Sequence, residues 1–123
     1  TISAGRPGLV KFSPADDGTP VLPFDPHSGE LRPDEWSRWL AWDPVRMIDR
    51  YADALLSVRA VWLDAGLKDE WYLELGATAF RNGLQRIGVP DDRVSFELFE
   101  GTHMAIDYRY PLSLAWLAQR LSP

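Results

Sequence analysis

The sequence predicts an α/β protein in which helices pack against a mostly parallel sheet. The run at 59–66 has an apolar centre that does not alternate, which is typical of a parallel strand covered on both faces. Residues 94–99 alternate between apolar and polar side chains, as expected of a strand near the edge of a sheet. An amphipathic stretch separates the two runs, and this order favours a strand–helix–strand unit.

The N-terminal part is predicted to be mostly loop, followed by two helices. Residues 1–34 are rich in Pro, Gly and Asp and contain one short strand pattern, LVKF at 9–12. Residues 33–42 are predicted to be helical because Pro33 suits a first turn and the acidic residues after it suit the positive end of the helix dipole. Residues 43–57 are predicted to form one longer helix, with Asp43 as its N-cap and Pro44 as its first residue.

The remaining elements follow from hydrophobic periodicity. Residues 70–88 place their apolar side chains on one side of a helix, and Gly88 is a suitable C-terminal stop. Pro111 opens a last helix. With 9–12, 59–66 and 94–99 as strands, the chain is expected to contain three mostly parallel strands with covering helices. Its 123 residues are the length of one domain.

Composition excludes several classes of function. The net charge of -5 disfavours a sequence-independent grip on nucleic acid, which requires a basic face. The absence of cysteine excludes disulfides, thiolate zinc sites and cysteine nucleophiles, and two distant histidines disfavour a histidine-rich metal site. No apolar run approaches the ~18 residues of a membrane helix. No signal peptide is visible; a cytoplasmic location is favoured, although a chain that starts without methionine leaves the compartment open.

Two loops are expected to carry any chemistry, because function gathers at the carboxyl ends of parallel strands. The loop at 64–71 offers Asp69, with Asp64 and Glu70 as rivals, and the loop at 100–108 offers His103. A carboxylate bonded to one ring nitrogen fixes the tautomer and leaves the other nitrogen as a base. These residues would form two-thirds of a serine-hydrolase triad, in the order acid then histidine.

The same segments resemble a known family. VWLDAGLKDEWYLELGATAFRNGL followed by FELFEGTHMAIDYRYPLSLAWLAQRL resembles the C-terminal third of the α/β-hydrolase esterases that include enterochelin-esterase-like and esterase-D-like enzymes. The segment PFDPHSGELRPDEWSRWLAWDP, residues 23–44, resembles the excursion between their sixth and seventh strands, and the excursion as a whole is expected to span residues 14–43. The resemblance covers about residues 9–121. It implies a carboxylic-ester hydrolase with Asp69 and His103 as triad members, and neither a metal nor an organic cofactor.

The chain departs from that family in one large respect. None of its serines lies in a Gly-x-Ser-x-Gly frame, and nothing matches the oxyanion-hole loop. The nucleophile and the first part of the hydrolase domain are therefore expected outside these 123 residues, and the chain alone is expected to be inactive. Its expected partners are the rest of the hydrolase, or a second copy that pairs through the strand at 9–12, and a small ester is the expected substrate of the intact enzyme.

Other interpretations stay open at this stage. The chain could be a non-catalytic interaction module or remnant, or its parent could act on amides or thioesters, because the same triad serves all of these reactions. His103 could be a structural loop residue. Asp69 could cap the following helix, alone or in addition to a catalytic role. Asp64 is the runner-up acid, although its position at the end of a strand suits a structural hydrogen bond better.

The remaining polar and aromatic candidates have simpler interpretations. Asp107 and Arg109 are expected to fix the loop near the last helix, and His27 is expected to be solvated. The tryptophans could line a substrate pocket, but a role in the core and in helix docking is favoured for all three, Trp36, Trp39 and Trp42. Thr1 as an N-terminal nucleophile is not favoured.

Overall fold

The structure of the protein is a computed structural model that describes residues 14–15 and 17–122. The strand predicted at 9–12 and Thr1 lie outside these residues. The chain divides into two compact units at Met47 and Ile48. Each unit is described on its own below.

The first unit contains turns and short helices. Two isolated antiparallel bridges join Pro14 to Pro20 and Phe24 to Leu31. Helix α1 spans Pro33–Leu40 and helix α2 spans Pro44–Met47. Both begin with proline at the first position, where the ring costs no hydrogen bond.

Two predictions in this part of the chain need correction. The single helix expected over 43–57 is wrong. Only α2 and a second short helix, α3 at Ala52–Ser57, form there, and turns separate them. Ile48, at the break, is 1% exposed because it packs against Gly83, and Tyr51 has non-helical dihedral angles. Trp42 is 60% exposed and Trp36 is 38% exposed, so neither is the core residue that was expected.

The second unit is a mixed α/β arrangement. Strand β1 spans Val61–Gly66, helix α4 spans Leu73–Ile87, strand β2 spans Val94–Phe99, and helix α5 spans Tyr110–Leu121. The strands pair in parallel, and Val61 lies opposite Val94 at the start of the ladder. The α/β class and the parallel pairing are as predicted. Over the part of the chain that the structure describes, the sheet has two strands.

The core of this unit lies between the sheet and α4. Its most buried side chains are aliphatic or aromatic, and burial of such groups is the main favourable term in folding. Gly83 is needed at the centre, because a Cβ there would overlap the Ile48 side chain. The buried apolar residues are Ile48, Ala65, Leu84, Val89 and Phe99. None of the described helices has the length and apolarity to span a membrane.

Candidate active site

The parallel register brings the two predicted loops together. Gly66 ends β1 opposite Phe99 at the end of β2. The pairing continues past the strands, because the Leu67 N–H donates to the Phe99 carbonyl at 2.9 Å and the Lys68 N–H donates to the Gly101 carbonyl at 2.9 Å. Residues 67–69 and 100–103 therefore leave the sheet side by side.

Gly66 is required for this close approach. A Cβ at position 66 would lie 2.7 Å from the Gly101 carbonyl carbon and 2.8 Å from the Thr102 carbonyl oxygen. Both atoms belong to the backbone, so no side-chain rotation could relieve the overlap. Glycine at position 66 thus allows the loop that carries Asp69 to lie close to the loop that carries His103.

The expected contact between Asp69 and His103 is present. His103 Nδ1 lies 3.1 Å from Asp69 Oδ2. Because an ionised carboxylate can only accept hydrogen bonds, the Nδ1 hydrogen belongs in this bond and Nε2 carries the lone pair. Within the described residues, Nε2 has no hydrogen-bond partner. This arrangement is what a general base needs: one nitrogen is held by an acid and the other is available.

Asp69 also organises its own loop. The residue is only 7% exposed, and its second oxygen accepts the Trp71 backbone N–H at 2.7 Å. Burial acts to raise the pKa of the Asp69 carboxyl, but hydrogen bonds from the Trp71 amide and the His103 ring outweigh burial and lower it. The carboxyl is therefore ionised at neutral pH. Asp69 does not cap α4 as the sequence allowed: the N-cap residue is Tyr72 and no side chain caps the helix, so the bond to Trp71 belongs to the turn that precedes it.

The rival acids have different partners. Glu70 Oε2 accepts the backbone N–H of His103 at 3.2 Å, so it holds the main chain of the histidine and not the ring. Asp64 accepts a hydrogen bond from Arg109 Nε at 2.9 Å. This bond agrees with the structural role that the sequence favoured for Asp64. Nothing in the sequence pattern indicates that Glu70 reaches the His103 amide.

Arg109 fixes the second loop to the sheet. It is 7% exposed, forms ion pairs with Asp64 and Glu97, and lies 4.5 Å from the centre of the Phe99 ring. These carboxylates raise the pKa of the Arg109 guanidinium even though burial opposes the shift, with the Glu97 hydrogen bond as the largest cause. The structural role predicted for Arg109 agrees with this geometry. Asp107 is exposed and begins a single helical turn, Asp107–Arg109.

A non-glycine residue in the left-handed region lies directly after the first loop, and another lies within the second. Tyr72 has φ 57° and Ala105 has φ 59°, and they are the non-glycine residues with positive φ among those described. Such conformations are uncommon for these residue types and tend to occur where function constrains the backbone. Tyr72 follows Asp69 by three positions and Ala105 follows His103 by two.

A small cavity lies beside the acid–histidine pair. Its volume is about 90 Å³, and Leu73, Phe99 and Ile106 give it apolar walls next to His103 and Thr102. No serine lines it. Thr102 Oγ1 lies 3.3 Å from the Met104 amide nitrogen and 3.5 Å from the Met104 carbonyl oxygen, so its hydroxyl is engaged locally.

The other sequence candidates do not contribute to this pair. His27 is exposed, and its backbone N–H donates to Asp25 in a turn of the first unit. Among the residues that the structure describes, no three potential acidic or histidine ligands cluster to hold a metal ion. Comparison with protein-family models found no match for the chain, and comparison with curated proteins found no similar sequence.

Proposed function

We propose that this chain supplies the acid and the histidine of the catalytic triad of an α/β-hydrolase that cleaves carboxylic esters. The observation that carries the proposal is the 3.1 Å contact between His103 Nδ1 and Asp69 Oδ2 at the carboxyl end of a parallel strand pair. The order acid then histidine, each after its own strand, supports the same assignment.

In the proposed reaction, His103 first accepts a proton as a base and then donates it as an acid. The serine Oγ attacks the acyl carbon while His103 Nε2 takes the hydroxyl proton, and the tetrahedral intermediate collapses as the ester C–O bond breaks. His103 returns the proton to the leaving alkoxide. The Asp69 carboxylate stays ionised throughout. It orients the imidazole ring through the Nδ1–H hydrogen bond and stabilises the imidazolium. Water then repeats the sequence on the acyl-enzyme and restores the serine.

The serine is proposed to come from outside these 123 residues. The sequence has no Gly-x-Ser-x-Gly frame, and none of the serines that the structure describes lines the cavity beside His103. The same external segment would supply the oxyanion donors, which stabilise the charge that develops on the acyl oxygen.

Exposed aromatic and apolar side chains next to the pair suit such a docking segment. Trp71 is 67% exposed and Met104 is 70% exposed, and Tyr72 and Tyr108 are exposed on the same two loops. Side chains of this type are enriched at the centres of protein interfaces. We propose that they contact the nucleophile-bearing part of the hydrolase, or a second copy of the chain when that part is missing.

The test is serine labelling in the complete gene product that contains these residues, together with any polypeptide that purifies with it. A fluorophosphonate probe should label one serine outside residues 1–123. His103→Ala should abolish labelling, and Asp69→Asn should slow it by about ten-thousandfold. Glu70→Gln is the matched control, because glutamine keeps an oxygen for the His103 amide, and it should leave labelling nearly unchanged.

Either of two results would contradict the proposal. One is a complete gene product that never reacts with the probe while it hydrolyses esters. The other is labelling that survives His103→Ala. If the intact protein has no hydrolase activity and binds a macromolecular partner through the same loops, it is an interaction module.

A further inference from the structure

A second concave site lies at the opposite end of the strands from His103. It is an open pocket of about 560 Å³, within the range of small-molecule sites. Arg59 precedes β1 and Arg93 precedes β2, so the pocket opens at the amino ends of both strands. The candidate active site lies at their carboxyl ends. The two sites are therefore separated by the length of the sheet.

The pocket brings together three arginines from separate parts of the chain. Arg59, Arg93 and Arg120 line it with Ser57 and Asp92. Arg120 belongs to the last turn of α5, whereas the other two precede strands. A chain with a net charge of -5 thus places three guanidiniums around one cavity, with a single carboxylate among its lining residues.

Backbone carbonyls hold two of the guanidiniums in place. Arg59 donates from Nη1 to the Leu121 carbonyl and from Nη2 to the Ser122 carbonyl, both at 3.0 Å, at the C-terminal end of α5. Arg93 donates from Nη1 to the Leu56 carbonyl at 3.3 Å, near the end of α3. Arginine suits such positions, because it satisfies the last carbonyls of a helix and complements its dipole.

The third guanidinium is held by an aromatic ring. The Arg120 guanidinium carbon lies 3.7 Å from the centre of the Trp116 ring, and its Nη1 lies 3.5 Å from the Trp116 carbonyl oxygen. Stacking of this kind fixes the plane of the guanidinium. These contacts would hold the three guanidiniums in place before a ligand binds, so a ligand would lose less free energy in ordering them.

Capping and stacking leave most of the donors unused. A guanidinium has five N–H donors, and the contacts above occupy one or two on each arginine. Over residues 14–15 and 17–122, no carboxylate lies within ion-pairing distance of any of the three. Asp91, next to Asp92, is instead paired with Arg81 at 3.7 Å. The pocket therefore offers several charged donors and little competing negative charge.

We propose that this pocket binds a small phosphorylated compound, with its phosphoryl oxygens held by Arg59, Arg93 and Arg120. A planar carboxylate is satisfied by one guanidinium, whereas a tetrahedral phosphoryl group accepts donors from several directions, as the three separate elements supply them. The pocket volume leaves room for an organic group beside the phosphate. Its separation from His103 makes it a different site from that of the proposed ester substrate.

Equilibrium dialysis of the 123-residue chain against radiolabelled pyrophosphate tests the proposal, at constant ionic strength. We expect saturable binding of one pyrophosphate per chain with a Kd of about 1 mM or below. Citrate, a polycarboxylate of similar charge, should bind at least about tenfold more weakly. The assay counts bound ligand, so it works in whatever state of association the chain adopts.

Three substitutions and a control assign the binding to this pocket. Arg93→Gln and Arg120→Gln should each weaken binding about tenfold, by loss of a charge-assisted contact. Asp92→Asn should strengthen binding about threefold, because it removes a negative charge that repels the pyrophosphate. Arg50→Gln removes one positive charge outside the pocket and should change the Kd by less than about twofold.

The Asp92→Asn variant keeps the test decisive if an arginine variant fails to fold. Asp92 is exposed and lies in a short helical turn, Asp91–Arg93, so the asparagine variant should fold normally. Three results would overturn the proposal: no saturable pyrophosphate binding up to about ten times the expected Kd, equal weakening by Arg50→Gln, or a Kd that Asp92→Asn does not lower. Citrate binding as tight as pyrophosphate would overturn the phosphoryl assignment. None of these results bears on ester hydrolysis.

Discussion

Gly66→Ala should destabilise the protein and separate the loop that carries Asp69 from the loop that carries His103. The new methyl group would lie 2.7 Å from the Gly101 carbonyl carbon, whereas ordinary contacts of a Cβ begin at 3.4 Å, so the loop would have to move by at least about 0.7 Å. Overpacking against atoms that cannot rotate away costs about 1–3 kcal/mol. For a domain of this size, the melting temperature should fall by about 5–15 °C.

Gly76→Ala provides the control for this substitution. Gly76 lies inside α4, and a Cβ there would have no neighbour within 4 Å. Alanine in the interior of a helix is favoured over glycine by about 0.5–1 kcal/mol, so this variant should melt a few degrees higher than the wild type. Thermal unfolding of both variants decides the matter. A Gly66→Ala protein as stable as Gly76→Ala would refute the argument that close backbone approach sets the loop geometry.

Three further outcomes are expected. Arg109→Leu should lower the free energy of unfolding by about 3 kcal/mol, because it leaves Asp64 partly buried without a partner. The control Arg86→Leu breaks an exposed ion pair and should lower it by less than about 1 kcal/mol. Urea denaturation measures both. The pKa of Asp69 is lowered from 3.8 in the folded state, so the carboxylate stabilises the protein above about pH 4, and this stabilisation is lost as the pH falls through the lowered pKa. When the free energy of unfolding is followed with decreasing pH, Asp69→Asn should not show this loss of stability. The 123-residue chain should not hydrolyse activated esters above background in a spectrophotometric assay, and turnover abolished by His103→Ala yet insensitive to serine-directed inhibitors would reveal a different mechanism.

Periodicity predicted the elements that form the sheet and its main helices. The apolar run at 59–66, the amphipathic stretch at 70–88 and the alternation at 94–99 became β1, α4 and β2, with ends that shifted by up to three residues. Helix α4 begins at Leu73 and not at 70, because Asp69 turns its carboxylate towards the Trp71 amide and Tyr72 adopts a left-handed conformation. Local side-chain hydrogen bonds of this kind compete with a helix and leave no periodic signal.

Contacts between distant residues were harder to predict. The Asp69–His103 contact could be predicted because parallel strands bring the loops that follow them to one edge of the sheet. The arginine pocket could not, because its three guanidiniums come from positions 59, 93 and 120 and meet only through the fold. The break after Met47 was missed for a related reason, since the packing of Ile48 against Gly83 overrides the local periodicity.

The coupling of Asp69 to His103 can be measured most directly by the chemical reactivity of the histidine. Diethyl pyrocarbonate modifies imidazole nitrogens, and mass spectrometry can follow His103 with the exposed His27 as an internal reference. Because Asp69 holds the Nδ1 hydrogen and leaves Nε2 as the nucleophile, Asp69→Asn should slow modification of His103 relative to His27, whereas Glu70→Gln should not. An unchanged ratio in Asp69→Asn, or an equal fall in Glu70→Gln, would contradict the assignment of Asp69 and His103 as an acid–base pair.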